Sequence, residues 1–464
     1  MAGPTVSAMA KARRMYRCSE CGWSTSKWVG RCAECRAWGT VDEAGGQPKG
    51  TAMAGPVSES ARPIGAVEFR AARSRPTGVG EFDRVLGGGL VQGAVVLLAG
   101  EPGVGKSTLL LEVAAQWASS AGRALYVTGE ESAAQVRLRA ERTDALADQL
   151  FLAAETELSA VLGQIEQVSP SLVVLDSAQT IADSATDGTV GGVTQVREVA
   201  TAVIQAAKQR GIAVIVVGHV TKEGSIAGPR VLEHLVDVVL QFEGDRHSRL
   251  RMVRAVKNRY GPADEVGCFD LSDEGIVSMP DPTGLFLSRH AETVSGTCVT
   301  VTLEGRRPLL AEVQALVGAS ILPSPRRATS GLSAQRLAMV LAVLERRARL
   351  RLGTSDVYTS TVGGAKLSEP AADLAMALAV GSAFADAPVA PGTIALGEVG
   401  LAGEIRPVVG LHRRLAEAER MGFSRALVPA DPGPVPGGIR AVEVPNVLAA
   451  LEQAQSANPA MPVT

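Results

Sequence analysis

Residues 97–114 read "LLAGEPGVGKSTLLLEVA", and the fold is decided there. Gly100 is followed by four residues and then by Gly105, Lys106 and Ser107, the GxxxxGK[ST] spacing, after a strand-like apolar run and at the start of a helix-like one. Glycines let backbone N–H groups turn inward around phosphate oxygens, and the helix that follows adds the positive end of its dipole. Gly100, Glu101, Pro102, Gly103, Val104, Gly105, Lys106, Ser107 and Thr108 are therefore the expected ATP phosphate site. Lys106 would reach the β- and γ-phosphates, and Ser107 would ligand Mg2+.

Working outward, "AVVLLAG", "RALYVTG", "DQLFLAA", "SLVVLD", "IAVIVVG", "VVLQFE" and "RLRMVRAV" read as strands between residues 94 and 256. Several are unbroken apolar runs, which belong in a parallel sheet covered on both faces. Between them, "GGVTQVREVATAVIQAAKQRG" sets Val193, Val196, Val199, Ala200 and Val203 on one helical stripe, with Gly211 as its stop. The alternation predicts a doubly wound α/β domain. Asp176 closes "SLVVLD" and is the expected second carboxylate on the magnesium side. Glu130 and Glu131 in "YVTGEES" sit at the tip of the strand after the first helix; adjacent carboxylates point in different directions, so one is expected to polarise the attacking water. Glu130 is the preferred base, with Glu131 behind it.

Composition bounds what else the chain does. It has 464 residues, 46% hydrophobic and 20% charged, with a formal net charge of −2. That is a multidomain globular protein with no global basic field, so nucleic-acid contact would rest on local patches. No apolar run of signal-peptide or membrane-span length is evident, and a cytoplasmic protein is expected.

Four of the six cysteines, Cys18, Cys21, Cys32 and Cys35, form C-x2-C, ten residues, C-x2-C. Paired thiolates at that spacing suit tetrahedral zinc in a compact ribbon. Trp23, Trp28 and Trp38 lie in or beside it with Lys27, Arg31 and Arg36. They read equally as base-stacking residues or as cover for the metal. Cys268 and Cys298 read as small buried hydrophobes. A Gly-, Pro- and Ser-rich stretch follows the ribbon, so the expected division is a ribbon over 1–40, a linker over 41–62, an ATPase domain over 63–284 and a further domain over 285–464. In the last, "GTCVTVTLEGRRPLLAEVQALV" reads as two strands, with helices at "LSAQRLAMVLAVLERRA" and "EPAADLAMALAVGSAFA".

Glutamates on the second strand resemble the RecA-type branch of nucleotide-binding domains, including DnaB-like helicases and KaiC; "TGVGEFDRVLGGGLVQGAVVLLAG" resembles its entry segment. In such rings the nucleotide lies at a subunit seam, and a neighbour inserts cations toward the γ-phosphate. "VKNRYG", residues 256–261, offers Lys257 and Arg259 for that task, on one side of an extended backbone. The order of ribbon, phosphate loop and K-N-R-Y-G resembles the bacterial RadA/Sms DNA repair family, whose KNRFG signature stands here as KNRYG. "GGAKLSEPAADLAMALA" and "GEVGLAGEIRPVVGLHRRLAEA" resemble the catalytic segments of Lon protease. Ala371 stands at the nucleophile position and His412 at the lysine position, so a Lon-like α+β domain without peptidase chemistry is expected.

The resemblance implies a DNA-dependent ATPase in recombinational repair that moves on single-stranded DNA, drives branch migration and processes branched intermediates beside a RecA recombinase. It also implies a homo-oligomeric ring, expected to be a hexamer. Two glycine-rich segments, 177–195 and 219–230, would face the strand, with Lys222 and Arg230 as DNA-contact candidates. Gln179 and His219 stand at strand ends where a γ-phosphate sensor would sit. Arg326, Arg327 and the cluster Arg346, Arg347, Arg349 and Arg351 offer phosphate contacts or a solvated face. The competing readings are a KaiC-like regulatory ATPase indifferent to DNA and, further off, an ATP-dependent protease.

Overall fold

The computed structural model of the chain describes residues 16–43, 61–66, 73–219, 230–244, 249–288 and 294–455. They fall into two compact units, divided between Glu68 and Phe69. The first holds a three-stranded antiparallel sheet of β1 (Tyr16–Cys18), β2 (Ser24–Thr25) and β3 (Val41–Glu43), in the order β2-β1-β3. Its small core is Cys18, Cys32 and Val41, with Tyr16, Trp23 and Val29 packed against it.

The second unit opens with β4 (Ser74–Arg75), α1 (Gly80–Leu86) and β5 (Leu90–Val91), and then β6 (Val95–Gly100) feeds α2 (Lys106–Ser120) through the phosphate loop. There follow β7 (Ala124–Thr128), α3 (Ala133–Arg142), β8 (Leu150–Ala154), α4 (Leu158–Val168), β9 (Leu172–Asp176), α5 (Val193–Arg210), β10 (Ala213–His219) and α6 (Arg230–Leu235). The sheet is completed by β11 (Val238–Gly244), β12 (Leu250–Asn258), β13 (Val266–Ser272) and β14 (Gly275–Ser278). Strand order is β14-β13-β12-β11-β6-β10-β9-β7-β8. From β11 to β8 all pairings are parallel, as the apolar runs predict. The apolar run 249–256 is the exception: β12 pairs antiparallel with β11, because the five residues between them are too few for a crossover. β13 and β14 extend this antiparallel margin. Their mixed composition gave no strand signal.

Apolar side chains fill both sheet faces. On one, α2 buries Leu109, Leu110, Val113, Ala114 and Trp117 against Val96, Leu98, Tyr126 and Val174. On the other, α5 buries Val196, Val199, Ala200, Val203 and Ala207 against Leu97, Leu125, Val173 and Val216. The stripe is shifted from the expected one, since Val193 at the helix start is exposed. Buried Gln195 takes part instead, its amide nitrogen donating to the carbonyls of Asp183 and Thr186. Gly211 ends α5 at φ 64°, as expected of a left-handed stop.

After α7 (Thr283–Phe286), a seven-stranded mixed sheet is built from β15 (Thr297–Glu304), β16 (Arg307–Ala319), β17 (Arg327–Ser330), β18 (Ser355–Thr361), β19 (Thr393–Ala395), β22 (Arg425–Val428) and β23 (Arg440–Glu443), with β20 (Glu398–Val399) and β21 (Ile405–Arg406) as a separate small ladder. The helices are α8 (Ala334–Arg347), α9 (Asp373–Ala385), α10 (Leu411–Arg420) and α11 (Val447–Gln455). α9 is apolar all round because it is enclosed, with Leu374 to Val380 fully buried.

The two sheets are joined by a buried ion pair. Arg307, at the start of β16, meets Glu81 of α1, the two being 4% and 3% exposed. The guanidinium also donates to the carbonyl oxygens of Val266 and Pro280, and Glu81 accepts the N–H of Cys268 at 2.9 Å. Among the described residues no helix is long and apolar enough to cross a membrane.

Removing one member of such a pair strands the other charge, at about 3–5 kcal/mol. Arg307→Ala is expected to lower stability by about that amount in urea denaturation followed by circular dichroism. Glu81→Gln with Arg307→Met, which keeps an acceptor for Cys268, is expected to recover most of the loss.

Candidate nucleotide site and zinc ribbon

Parallel pairing brings the carboxyl ends of β6, β7, β9 and β10 to one edge of the sheet. His219 is level with Gly100, and Thr128 with Asp176. Gly100 has no room for a side chain, since a Cβ there would stand 2.6 Å from the carbonyl oxygen of Phe242. Gly105 caps α2 at φ 109°, a conformation that demands glycine.

Lys106 is 3% exposed, and its Nζ donates to the carbonyls of Gly100 and Glu101 at 2.8 Å each. Burial pulls its pKa down to about 8, against the pull of Asp176, Glu130 and Glu101. Asp176 is buried and accepts the Tyr126 hydroxyl at 2.6 Å. Tyr126 had drawn no notice in the sequence, where it reads as one more strand residue; burial and the Asp176 charge hold its phenol protonated, well above the ordinary range.

The two glutamates part company. Glu130 Oε1 accepts Ser177 Oγ at 2.7 Å and lies 3.0 Å from His219 Nε2. Burial opposes its ionisation, but those hydrogen bonds and the charges of His219 and Lys106 prevail, so the carboxyl lies below its ordinary range. Glu131 turns the other way and pairs with Arg139 of α3. Gln179 and Nδ1 of His219 keep buried polar atoms with no hydrogen-bond partner among the described residues. The segment 177–192 is tied within itself and to the start of α4: Asp183 accepts Thr186 Oγ1 at 2.6 Å, and Glu157 accepts Ser184 Oγ at 2.7 Å.

Lys257 and Arg259 are at the opposite edge of the same sheet. Asn258 is level with Val238, and Val238 with Val96, four residues below Gly100 or at least ~13 Å away at strand rise. They are not held free, as the sequence had implied. Lys257 Nζ donates to the carbonyls of Glu233 and Val236 at 2.7 and 2.8 Å, closing the end of α6. Arg259 donates to Asp237 at 3.1 Å. The two converge on residues 233–237, and just before them β12 is bulged: Val256 is extra in the register and stands exposed. Asn258 shapes the turn, accepting the N–H groups of Tyr260 and Gly261 and donating to the carbonyl of Leu86.

Lys222 lies outside the described residues, and Arg230 is described only as the first residue of α6. Arg327 is spent on the carbonyls of Ser355 and Leu352, whereas Arg346, Arg347, Arg349 and Arg351 are exposed. In the C-terminal sheet Ala371 is buried, and His412 is bonded to the carbonyl of Pro434. Charged pairs nearby are Glu369 with the buried Arg414, at 2.6 Å, and Arg336 with the buried Asp373. A cavity of about 470 Å3, lined by Glu101, Val104, Phe242, Glu304, Lys366 and Ser368 among others, separates the phosphate loop from residues 363–368.

In the ribbon, the sulfur atoms of Cys18, Cys21, Cys32 and Cys35 all lie within 4.8 Å of one another. Cys18 is 3.7 Å from Cys35 and Cys21 is 3.5 Å from Cys32, close to the ~3.8 Å edge of a tetrahedron of sulfurs around zinc at ~2.3 Å. The Thr40 hydroxyl, with the Cys21 N–H, pulls the Cys18 thiol down to about 6. The Ala37 N–H favours the Cys35 thiolate too, yet burial and the other three sulfurs push it up to about 12. Four thiolates this close need a cation between them, and Zn2+ fits. Cys268 and Cys298 are buried, as expected of structural thiols.

Fold and site together define a RecA-like ATPase core that takes ATP and Mg2+, preceded by a zinc ribbon. Residues 64–225 match the family described as an AAA domain, 16–43 the rubredoxin metal binding domain and 363–432 subunit ChlI of Mg-chelatase. Proteins named DNA repair protein RadA are 56% identical in Mycobacterium tuberculosis (96% of this chain, 94% of the relative), 46% in Pseudomonas aeruginosa (96% and 99%) and 42% in Bacillus subtilis (96% and 99%). The chain belongs to the RadA family.

The depressed Lys106 pKa has a testable consequence. A phosphate contact raises it, so ATP binding takes up a proton only above about pH 8. Affinity is expected to be flat from neutrality to about pH 8 and then to fall by up to about ten-fold per pH unit. Calorimetry in buffers of different ionisation enthalpy reads that proton uptake directly.

Proposed function

We propose that the chain is a DNA-dependent ATPase of recombinational repair, translocating on single-stranded DNA to drive branch migration and to process branched intermediates with a RecA-type recombinase. The observation that carries the chemistry is the convergence of Lys106, Asp176 and Glu130 on one sheet edge. Repair is what the relatives' names state; the single-strand step goes beyond those names and is this proposal's own.

In this reading Lys106 and the loop N–H groups hold the β- and γ-phosphates. Ser107 and Asp176 would hold Mg2+, which would supply charge neutralisation at the phosphate oxygens. Tyr126 keeps Asp176 aimed through its hydroxyl. Glu130, kept anionic by Ser177 and His219, orients a water and draws its proton as that water attacks the γ-phosphorus and the bond to the bridging oxygen breaks. Glu131 is spent on Arg139. Lys257 and Arg259, too far from their own chain's phosphate loop, serve a neighbour's nucleotide in a ring, with six subunits as the expected count. His219 ends β10 directly before the segment carrying Lys222, so strand contact there reaches Glu130 through one hydrogen bond. The Lon-like domain has a methyl group at position 371 and an imidazole bonded to a carbonyl at 412, so it acts in assembly and not in peptide cleavage.

Steady-state ATP hydrolysis with and without single-stranded DNA tests this. Several-fold stimulation is expected, lost in Lys106→Ala. Glu130→Gln is expected to bind ATP normally and to lose turnover by about 100-fold or more, while Glu131→Gln keeps most of it. Equal turnover with and without DNA would favour a KaiC-like regulatory ATPase.

A further inference from the structure

The three tryptophans of the ribbon do different things. Trp23 is half-buried and packs on the core formed by Cys18, Cys32 and Val41. Trp28 and Trp38 do not: they are 65% and 74% exposed. Both rings flank Gly30, whose missing Cβ would lie 3.7 Å from one indole and 3.9 Å from the other. The positions are held by backbone. Arg31 and Trp38 form an antiparallel bridge, and the Gly39 N–H donates to the carbonyl of Gly30 at 2.9 Å.

Arg31 sets its guanidinium over the Trp38 ring, 5.7 Å from the centroid, while its Nε is fixed to the carbonyl of Arg36 at 3.0 Å. Lys27 adjoins Trp28 and is exposed. Of the three tryptophans only Trp23 joins the packing around the cysteines. Two indoles left in water on either side of Gly30 are costly unless something covers them. Every nucleobase has a π-face and every nucleotide a phosphate, which match indoles with neighbouring cations. An acidic or purely aliphatic partner would use only half of that set.

We infer that Trp28 and Trp38 form a base-stacking platform for single-stranded nucleic acid, with Arg31 and Lys27 on the backbone. It reads no sequence, because stacking tolerates any base. Its residues are other than those of the segments 177–195 and 219–230; the inference rests on the DNA reading for its biological sense, but binding is measured without ATP.

The test uses the full chain, zinc-loaded, and fluorescence anisotropy with a labelled oligothymidylate and an abasic strand of equal length. Trp28→Ala and Trp38→Ala are expected to weaken oligothymidylate binding by about five-fold each or more, with full zinc content and unchanged basal ATP hydrolysis. Trp→Phe at either position is expected to restore most of the affinity, and the abasic strand is expected not to distinguish the variants. Unchanged oligothymidylate affinity in both Ala variants overturns the platform. An equal loss on the abasic strand also overturns it, assigning the effect to charge. Retained strand binding with loss of a RecA-type recombinase from the complex would make the face a protein surface and overturn it as well. If ATP turnover proves indifferent to DNA while the Ala variants still lose oligothymidylate, the platform stands and only the motor reading fails.

Discussion

The parallel pairing of β6 with β10 and β11 is the constraint on which the rest depends. It fixes the register that puts Gly100, His219 and, through β9 and β7, Asp176 and Thr128 at one edge. The strand ends there bring Gly100, His219 and Asp176 to one edge, beside the phosphate loop and Glu130. The same register sends the end of β12 to the other edge, since an antiparallel strand runs back. One decision in strand direction therefore separates the phosphate loop from Lys257 and Arg259, and a site needing both has to draw on two chains.

The C-terminal sheet is fastened to the sheet that bears the phosphate loop. Arg307 enters the core between α1 and β13 and is satisfied there by Glu81 and by backbone carbonyls. Buried pairs of this kind contribute little net stability over an apolar substitute, but a docking that separated them would leave a stranded charge. Arg254 of β12 reaches Glu304 of β15 at 2.6 Å, so the sheet margin bearing Lys257 is tied to the same hairpin. The cavity beside the phosphate loop is the space left between these anchors.

Much of this was legible in the residues. The phosphate loop, the six parallel strands and the cysteine set announce themselves because each depends on local spacing: glycines at fixed offsets, unbroken apolar runs, C-x2-C pairs. The direction of β12 and the strands β13 and β14 were not, since antiparallel margins have one wet face and a diluted pattern. Tyr126 and Ser177 were missed for another reason. Their roles come from contacts across the sheet, Tyr126 to Asp176 and Ser177 to Glu130, and neither residue type is rare in a strand or loop. The partners of Lys257, Glu233 and Val236, are backbone carbonyls, which no sequence pattern advertises.

The claim that the nucleotide site is shared is tested most directly by mixing two inactive chains. Lys106→Ala keeps the cations and loses the phosphate loop; the Lys257→Ala, Arg259→Ala double variant keeps the loop and loses the cations. Chains shown by differently tagged pull-down to have assembled together are predicted to hydrolyse ATP well above the sum of the two separate preparations. Mixed assemblies no more active than that sum would contradict the shared site and return Lys257 and Arg259 to a structural role around residues 233–237.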